Sequence, residues 1–262
     1  MDYKLKGKVA IIGGSSKGLG KACALSLAKE GVNIVLCARG EEELEETRKK
    51  IEGYHVEALA LKVDMSSAED NERIVKETID KFGRVDILVN NSGGPAPGSF
   101  SELSMEDFDE AYNSVLKYNI RMTNLCLPYM KEKHWGRIIN ITSMSVKEPS
   151  PTLVLSNVFR TAVVSFAKSI SKELMSDGIT INNVCPGYFR TDRITQLMEK
   201  EASDANVSVQ EYEQKVMSAL PHKRFMSPDE LGNMVAYLCS TQARSITGTT
   251  IQMDGGVNSG LL

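Results

Sequence analysis

The amino-acid sequence predicts an α/β fold, a doubly wound parallel sheet of about seven strands with helices on both faces. Two observations carry this expectation. Short β-branched runs alternate along the chain with helix-prone stretches of about 10–20 residues, the pattern of βαβ units. A glycine-rich turn also joins the first such run to the first such stretch. Right-handed crossovers between parallel strands then place helices on both sides of the sheet.

Residues 9–12 read as a first buried strand, and 18–30 as the helix after it, with Ala22, Leu25, Leu27 and Ala28 among its apolar positions. A second strand is expected at 33–37, then a charged helix at 41–51. A third strand at 58–63 and a helix at 68–82 follow, then a fourth strand at 85–89. Residues 105–131 cover one long helix or two. The fifth strand is expected at 137–141, and a helix of strong apolar periodicity at 158–175. The sixth and seventh strands fall at 180–184 and 249–252. Without a repeat, linker or low-complexity segment, the 262 residues read as one domain. The region of about 194–226 is polar and helix-prone, and reads either as a mobile lid or as a plain surface insertion.

Composition narrows the function classes. A formal net charge of −3 with no basic tract argues against a nucleic-acid partner. No apolar run approaches the roughly 18 residues of a membrane span, and the first residues, MDYKLKGKVAIIGG, resemble neither a signal nor a transit peptide. The five cysteines (Cys23, Cys37, Cys126, Cys185, Cys239) are scattered in apolar surroundings, which points to reduced thiols in a cytoplasmic protein. The three histidines do not cluster with them, so no metal site is expected.

The turn after the first strand is Gly13-Gly14-Ser15-Ser16-Lys17-Gly18-Leu19-Gly20. Glycines there let backbone approach a pyrophosphate, and the following helix offers unpaired N–H groups and a favourable dipole. Its spacing from Gly14 is G-x-x-x-G-x-G, closed by Gly18 and Gly20. This resembles the short-chain dehydrogenase/reductase family, and the resemblance spans nearly the whole chain. Asn90-Asn91-Ser92-Gly93 is similar to the family's N-N-A-G, which implies that Asn91 and Gly93 line the cofactor site. Asp64 resembles the acid that meets the adenine ring, and Ser143 the active-site serine at the end of the fifth strand. Pro186-Gly187 with Thr191 resembles the P-G-x-x-x-T loop that holds the nicotinamide carboxamide. Ile246-Thr247-Gly248 and Met253-Asp254-Gly255-Gly256 resemble the C-terminal signature, implying a homo-oligomer, dimer or tetramer. The loop Gly93-Gly94-Pro95-Ala96-Pro97-Gly98 is similar to that of a divergent branch related to 3-oxoacyl-carrier-protein reductases.

The second strand ends Leu36-Cys37-Ala38-Arg39, so the position of the acid that would select NAD through the ribose 2′-OH is Ala38. Arg39 and Lys17 are placed to meet a 2′-phosphate, which favours NADP(H) over NAD(H), unless both simply face solvent.

The catalytic set departs from the family. Thirteen residues beyond Ser143, where the resemblance implies the proton-donating tyrosine, stands Ser156; the lysine four residues later is Arg160. The relay asparagine falls on Val115, with Asn113 and Asn119 nearby but out of register. A tyrosine of pKa near 10 can be brought into range by a neighbouring cation, whereas a serine hydroxyl is a far weaker acid. Arg160 keeps a positive charge for the ribose, with geometry unlike lysine's. Tyr188, Lys147 or a water held by Ser143 and Ser156 are the candidates for an alternative proton source; His134 and Trp135 read as structural. Two readings stay open. One is an NADP(H)-dependent oxidoreductase of a small carbonyl or alcohol substrate with a non-standard proton donor. The other is a nucleotide-binding protein without hydride transfer, a sensor or assembly partner; dehydration or epimerisation on the same scaffold is a further option.

Overall fold

Val9 and Ile11 of the first strand join one hydrophobic layer while Ala10 and Ile12 join the other, because successive side chains of a strand point to opposite faces. Burial on both faces is the reason the strand is apolar throughout. The computed structural model, which describes residues 2–260, repeats this across seven strands. They are β1 (Val9–Gly13), β2 (Asn33–Ala38), β3 (Ala58–Lys62), β4 (Ile87–Asn90), β5 (Gly136–Ile141), β6 (Ile179–Pro186) and β7 (Thr250–Met253). The spatial order is β3-β2-β1-β4-β5-β6-β7 and every neighbouring pair is parallel. The order reverses between β1 and β4, which opens a crevice at their carboxyl ends.

On one face lie α1 (Gly18–Lys29), α2 (Glu41–Glu52) and α9 (Pro228–Cys239), contributing Leu27, Leu44 and Val235 among others. On the other lie α3 (Ala68–Phe82), α5 (Tyr118–Glu132) and α6 (Val154–Met175), contributing Ile74, Met122 and Leu174. Each fully buried Leu or Ile contributes about 2 kcal/mol, so these two layers dominate the stability. Local signals set the helix ends: α3 starts on Ser67, whose side chain accepts from Asp70 N, and stops on Gly83 at φ 67°.

The structure departs from the sequence expectations at the start of α6 and at α9, and gives form to two regions whose helical character was expected. α6 begins at Val154 rather than 158, because Gly98 O accepts the Val154 N–H at 3.3 Å and supplies a start signal from outside the helix. Residues 105–131 form one helical path, α4 (Met105–Ala111) running into α5 through a π-helical turn at Tyr112–Lys117. α9 occupies a stretch to which the sequence reading assigned no element, although Ser227, Pro228 and Glu230 form a capping box with proline in the first turn. The region near 194–226 is a helical hairpin, α7 (Asp192–Asp204) and α8 (Val209–Ala219), built around its own cluster of Met198, Leu220 and Phe225. Among the described residues no helix is long and apolar enough to cross a membrane, and no group of His, Cys, Asp and Glu could hold a metal.

The amino-terminal end of the sheet is held by charge. Fully buried Asp86 accepts from Val9 N at 2.9 Å and takes both Nε and Nη2 of Arg84 at 2.7 Å, with Lys8 Nζ at 3.4 Å. Lys8 and Arg137 flank the Trp135 ring at 3.9 and 4.4 Å. Trp135 is thus part of this structural brace, at the opposite end from the crevice. Asp86→Ala is expected to destabilise the fold by roughly 3 kcal/mol, since it strands two cations and a β1 amide. Urea unfolding would check this, and a midpoint equal to that of the wild type would refute it.

Candidate active site

Above the carboxyl ends of the strands lies a cavity of ≈ 650 Å³, a volume suited to a large ligand. Its floor at β1 is the glycine-rich turn, from which Gly14, Ser16, Lys17, Gly18 and Leu19 line the wall. Gly14 and Gly18 both have φ 56°, a backbone that other residues adopt only with strain. Gly20 is buried behind the turn, and a Cβ there would overlap the Gly14 carbonyl oxygen. It therefore closes the turn without itself facing the cavity, a correction to its expected role as a contact. Asn91 Nδ2 donates to Gly13 O at 3.1 Å and pins the turn to the end of β4.

The first turn of α1 carries no acid and no side-chain cap, so its N–H groups are available to a pyrophosphate. Thr191 faces Gly18 across the cavity, its methyl 3.6 Å from where a Gly18 Cβ would sit. Thr191 also starts α7, its Oγ1 accepting from Ile194 N. Pro186, Gly187 and Gly93 complete this part of the wall. The cradle fits a dinucleotide: bare amides where phosphates would lie, and no side chain filling the turn.

The adenosine end is lined by Arg39, Asp64 and Glu43. Asp64 accepts from Ser66 N at 2.9 Å and Ser66 Oγ at 2.7 Å, which hold its carboxyl below the usual range. Arg39 is exposed and free to meet a phosphate. Lys17, by contrast, already pairs with Asp192 at 3.1 Å and links the turn to α7. Glu43, which the sequence reading did not consider, folds its carboxylate back against Gly40.

At the other end Ser143, Ser156 and Arg160 meet on one wall. Ser143 Oγ accepts from Ser145 N at 3.1 Å, and Ser145 Oγ lies 3.3 Å from Ser156 Oγ. Ser145, missed in the sequence, therefore links the other two, its backbone N–H to Ser143 and its hydroxyl to Ser156. Ser156 sits in the first turn of α6, which has neither a side-chain cap nor an acid. The positive end of that helix dipole faces the hydroxyls.

Arg160 is buried and does more than replace a lysine charge. Its Nη1 donates to Ile141 O and Thr142 O, both at 2.7 Å, and its Nη2 to Gly93 O at 2.6 Å. Burial, with the nearby charge of Arg193, brings its pKa down to about 10, so it remains a cation at neutral pH. Most of its donors serve main-chain carbonyls, which limits the expected ribose-binding role.

The two candidate proton donors outside the serines lie elsewhere. Tyr188 does not reach the cavity; its ring packs 6.4 Å from Phe225 in the cluster under the α7–α8 hairpin, where burial pushes its phenol up. Lys147 is not on the wall either. Val115 lines the cavity where the asparagine is absent, while Asn119 Nδ2 donates to Val115 O at 2.6 Å inside the π-helical turn. The sequence reading also missed Arg193, two residues past Thr191, which lines the catalytic end and donates to Pro95 O at 2.8 Å.

Residues 14–258 match the family model described as enoyl-(acyl carrier protein) reductase. The chain is 33% identical over 251 residues to the NADPH-dependent reductase BacG of Bacillus subtilis, covering 95% of this chain and 97% of that protein. It is 31% identical over 258 residues to the 3-oxoacyl-(acyl-carrier-protein) reductase FabG of Aquifex aeolicus, covering 98% and 100%. The solved structure of L-sorbose reductase from Gluconobacter frateurii, complexed with NADPH and L-sorbose, superposes with a TM-score of 0.94 at 32% identity over 100% of both chains. Likeness of this extent establishes kinship: the chain belongs to the short-chain dehydrogenase/reductase family and is one of its enzymes.

Proposed function

We propose that this protein is an NADP(H)-dependent oxidoreductase of a carbonyl/alcohol pair that works without a tyrosine proton donor. The observation that carries this reading is that one cavity joins the nucleotide turn to the Ser143 and Ser156 hydroxyls and a buried guanidinium. When bound, the reduced nicotinamide supplies the hydride. Ser143 donates a hydrogen bond to the substrate oxygen. Arg160 and the open first turn of α6 hold positive potential where negative charge develops on that oxygen, the term that usually contributes most to such catalysis. Serine is too weak an acid to act alone at neutral pH. Ser156 instead relays: it passes a proton to the alkoxide as it accepts one from a water in exchange with bulk solvent, whose buffer neutralises the hydroxide left behind.

NADP(H) preference is supported by the exposed Arg39 beside an alanine in the acid position, and by relatives named as NADPH-dependent or solved with NADPH. The α7–α8 hairpin serves as the lid of a single-domain enzyme. A homo-oligomer is supported by exposed Phe100, Met105, Tyr112 and Val158, close in the chain to the Phe108–Phe159 and Tyr112–Phe159 contacts that join α4 and its π-helical turn to α6. A cytoplasmic location is supported by five free, buried cysteines.

A second reading, nucleotide binding without hydride transfer, draws on Arg160: its donors are largely committed to backbone. The double substitution Ser156→Tyr with Arg160→Lys separates the two. Lysine satisfies at most part of what Arg160 holds, so under the proposal the double variant loses about 2 kcal/mol of stability and shows no more activity than the parent. Ketone reduction appearing in a variant of a silent parent would instead favour the second reading. NADPH oxidation with ketones, 1,2-diketones and β-ketoacyl thioesters is expected to show turnover, and Ser143→Ala to lower kcat/KM by about 10²–10³-fold. Unaltered turnover in that variant would remove Ser143 from the chemistry. Arg39→Asp is expected to weaken NADPH binding about 30-fold, and NADH binding far less, by fluorescence titration. Equal losses for both would end the argument for NADP(H).

A further inference from the structure

The first turn of α7 brings a second guanidinium to the catalytic end of the cavity. Its charged neighbours in sequence are already paired, Arg190 with Glu213 at 2.9 Å and Asp192 with Lys17 at 3.1 Å. Arg193 is not. It makes one hydrogen bond, to Pro95 O, and lies against Gly94, where a Cβ would stand 3.2–3.4 Å from its Nη2, Nε and Cζ. That contact fixes the guanidinium on the cavity wall it shares with Arg160.

The two cations face the same space without a counter-ion. Arg160 is turned onto Gly93, Ile141 and Thr142, and the charge of Arg193 is near enough to lower its pKa. Among the described residues no carboxylate lies within ion-pair distance of either. Of the acids elsewhere on the wall, Asp107 caps Ser104, Asp64 holds Ser66 and Asp192 pairs with Lys17, while Glu110 is exposed to solvent. A desolvated, unpaired cation is costly, and an anion supplied by a ligand relieves that cost. The planar fork of a guanidinium matches a carboxylate in particular.

We propose that Arg193 selects the substrate, and that the substrate class is a keto acid. In this assignment Arg193 binds a free carboxylate while the carbonyl of the same molecule lies at Ser143 and Ser156. The proposal rests on the reductase reading of this cavity and adds the chemical class on which it acts. Arg193 is a specificity-determining residue here, and the chemistry stays with the serines.

The test compares acetoacetate and 2-oxobutanoate with their methyl esters. Equilibrium binding to the NADP⁺ complex is measured by calorimetry, and NADPH oxidation by absorbance. The wild type should bind the acids at least about tenfold tighter than the esters. Arg193→Gln retains a donor for Pro95 O but removes the charge. It should weaken the acids about 10- to 100-fold, leave the esters within about twofold, and leave NADP⁺ affinity unchanged. Arg193→Lys should recover part of the acid preference. Equal losses for acid and ester, no acid preference in the wild type, or a loss confined to NADP⁺ would overturn the proposal; the last would place Arg193 on a cofactor phosphate. Acid-selective binding that depends on Arg193 in an enzyme that oxidises no NADPH would uphold the selection and refute only the reductase reading.

Discussion

Three main-chain carbonyls at the catalytic end of the sheet, those of Gly93, Ile141 and Thr142, converge on the guanidinium of Arg160. A carbonyl at the end of a strand has no ladder partner there and, once buried, must find a donor. One planar cation with several donors in fixed directions satisfies all three, which a lysine ammonium cannot do in the same geometry. The end of β5, the loop after β4 and the first turns of α6 are thereby held in one arrangement. Ser143, Ser156 and the cavity wall inherit their positions from it.

The loop after β4 is fastened along its length. Arg160 takes Gly93 O, Arg193 takes Pro95 O, and Gly98 pairs with the backbone of Thr152 and Val154. The last of these contacts also starts α6 and so brings Ser156 into a helical first turn. Beneath this region Asn90, Asn140, Asn183 and Thr250 form a chain of side-chain hydrogen bonds across β4, β5, β6 and β7, at 2.9, 2.9 and 3.2 Å. Parallel register places these residues side by side, and the chain locks adjacent strands just below the cavity. The rigid part of the site is thus built from sheet ends, while α7 contributes Thr191 and Arg193 from above.

Electrostatically the cavity is lopsided. Its catalytic end holds Arg160, Arg193 and the open end of α6, while Asp107, Asp64 and Asp192 on its wall are engaged with Ser104, Ser66 and Lys17. Such a field favours ligands and transition states that carry negative charge, which suits both a developing alkoxide and the dinucleotide phosphates.

Much of this was legible in the sequence. All seven strands fall within two residues of their expected bounds at either end, because unbroken apolar β-branched runs have few other places to go. The nucleotide turn was readable because positive φ and a close backbone approach demand glycine locally. That Ser156 and Arg160 stand at the positions of the family's tyrosine and lysine is what the resemblance implies, counted from Ser143. Other features depended on partners distant in the chain. Tyr188 was a candidate by proximity in sequence, yet the apolar cluster of the hairpin claims its ring. Gly20 serves the turn and not the cavity; Ser145 enters only through the fold of the short turn after β5; and Arg193 matters only because α7 docks against the loop after β4. The sequence by itself determined the sheet and the nucleotide cradle, since each follows from local backbone demands or periodicity. Tertiary structure alone decided where the charges point and which hydroxyls meet, because those depend on contacts between residues tens of positions apart.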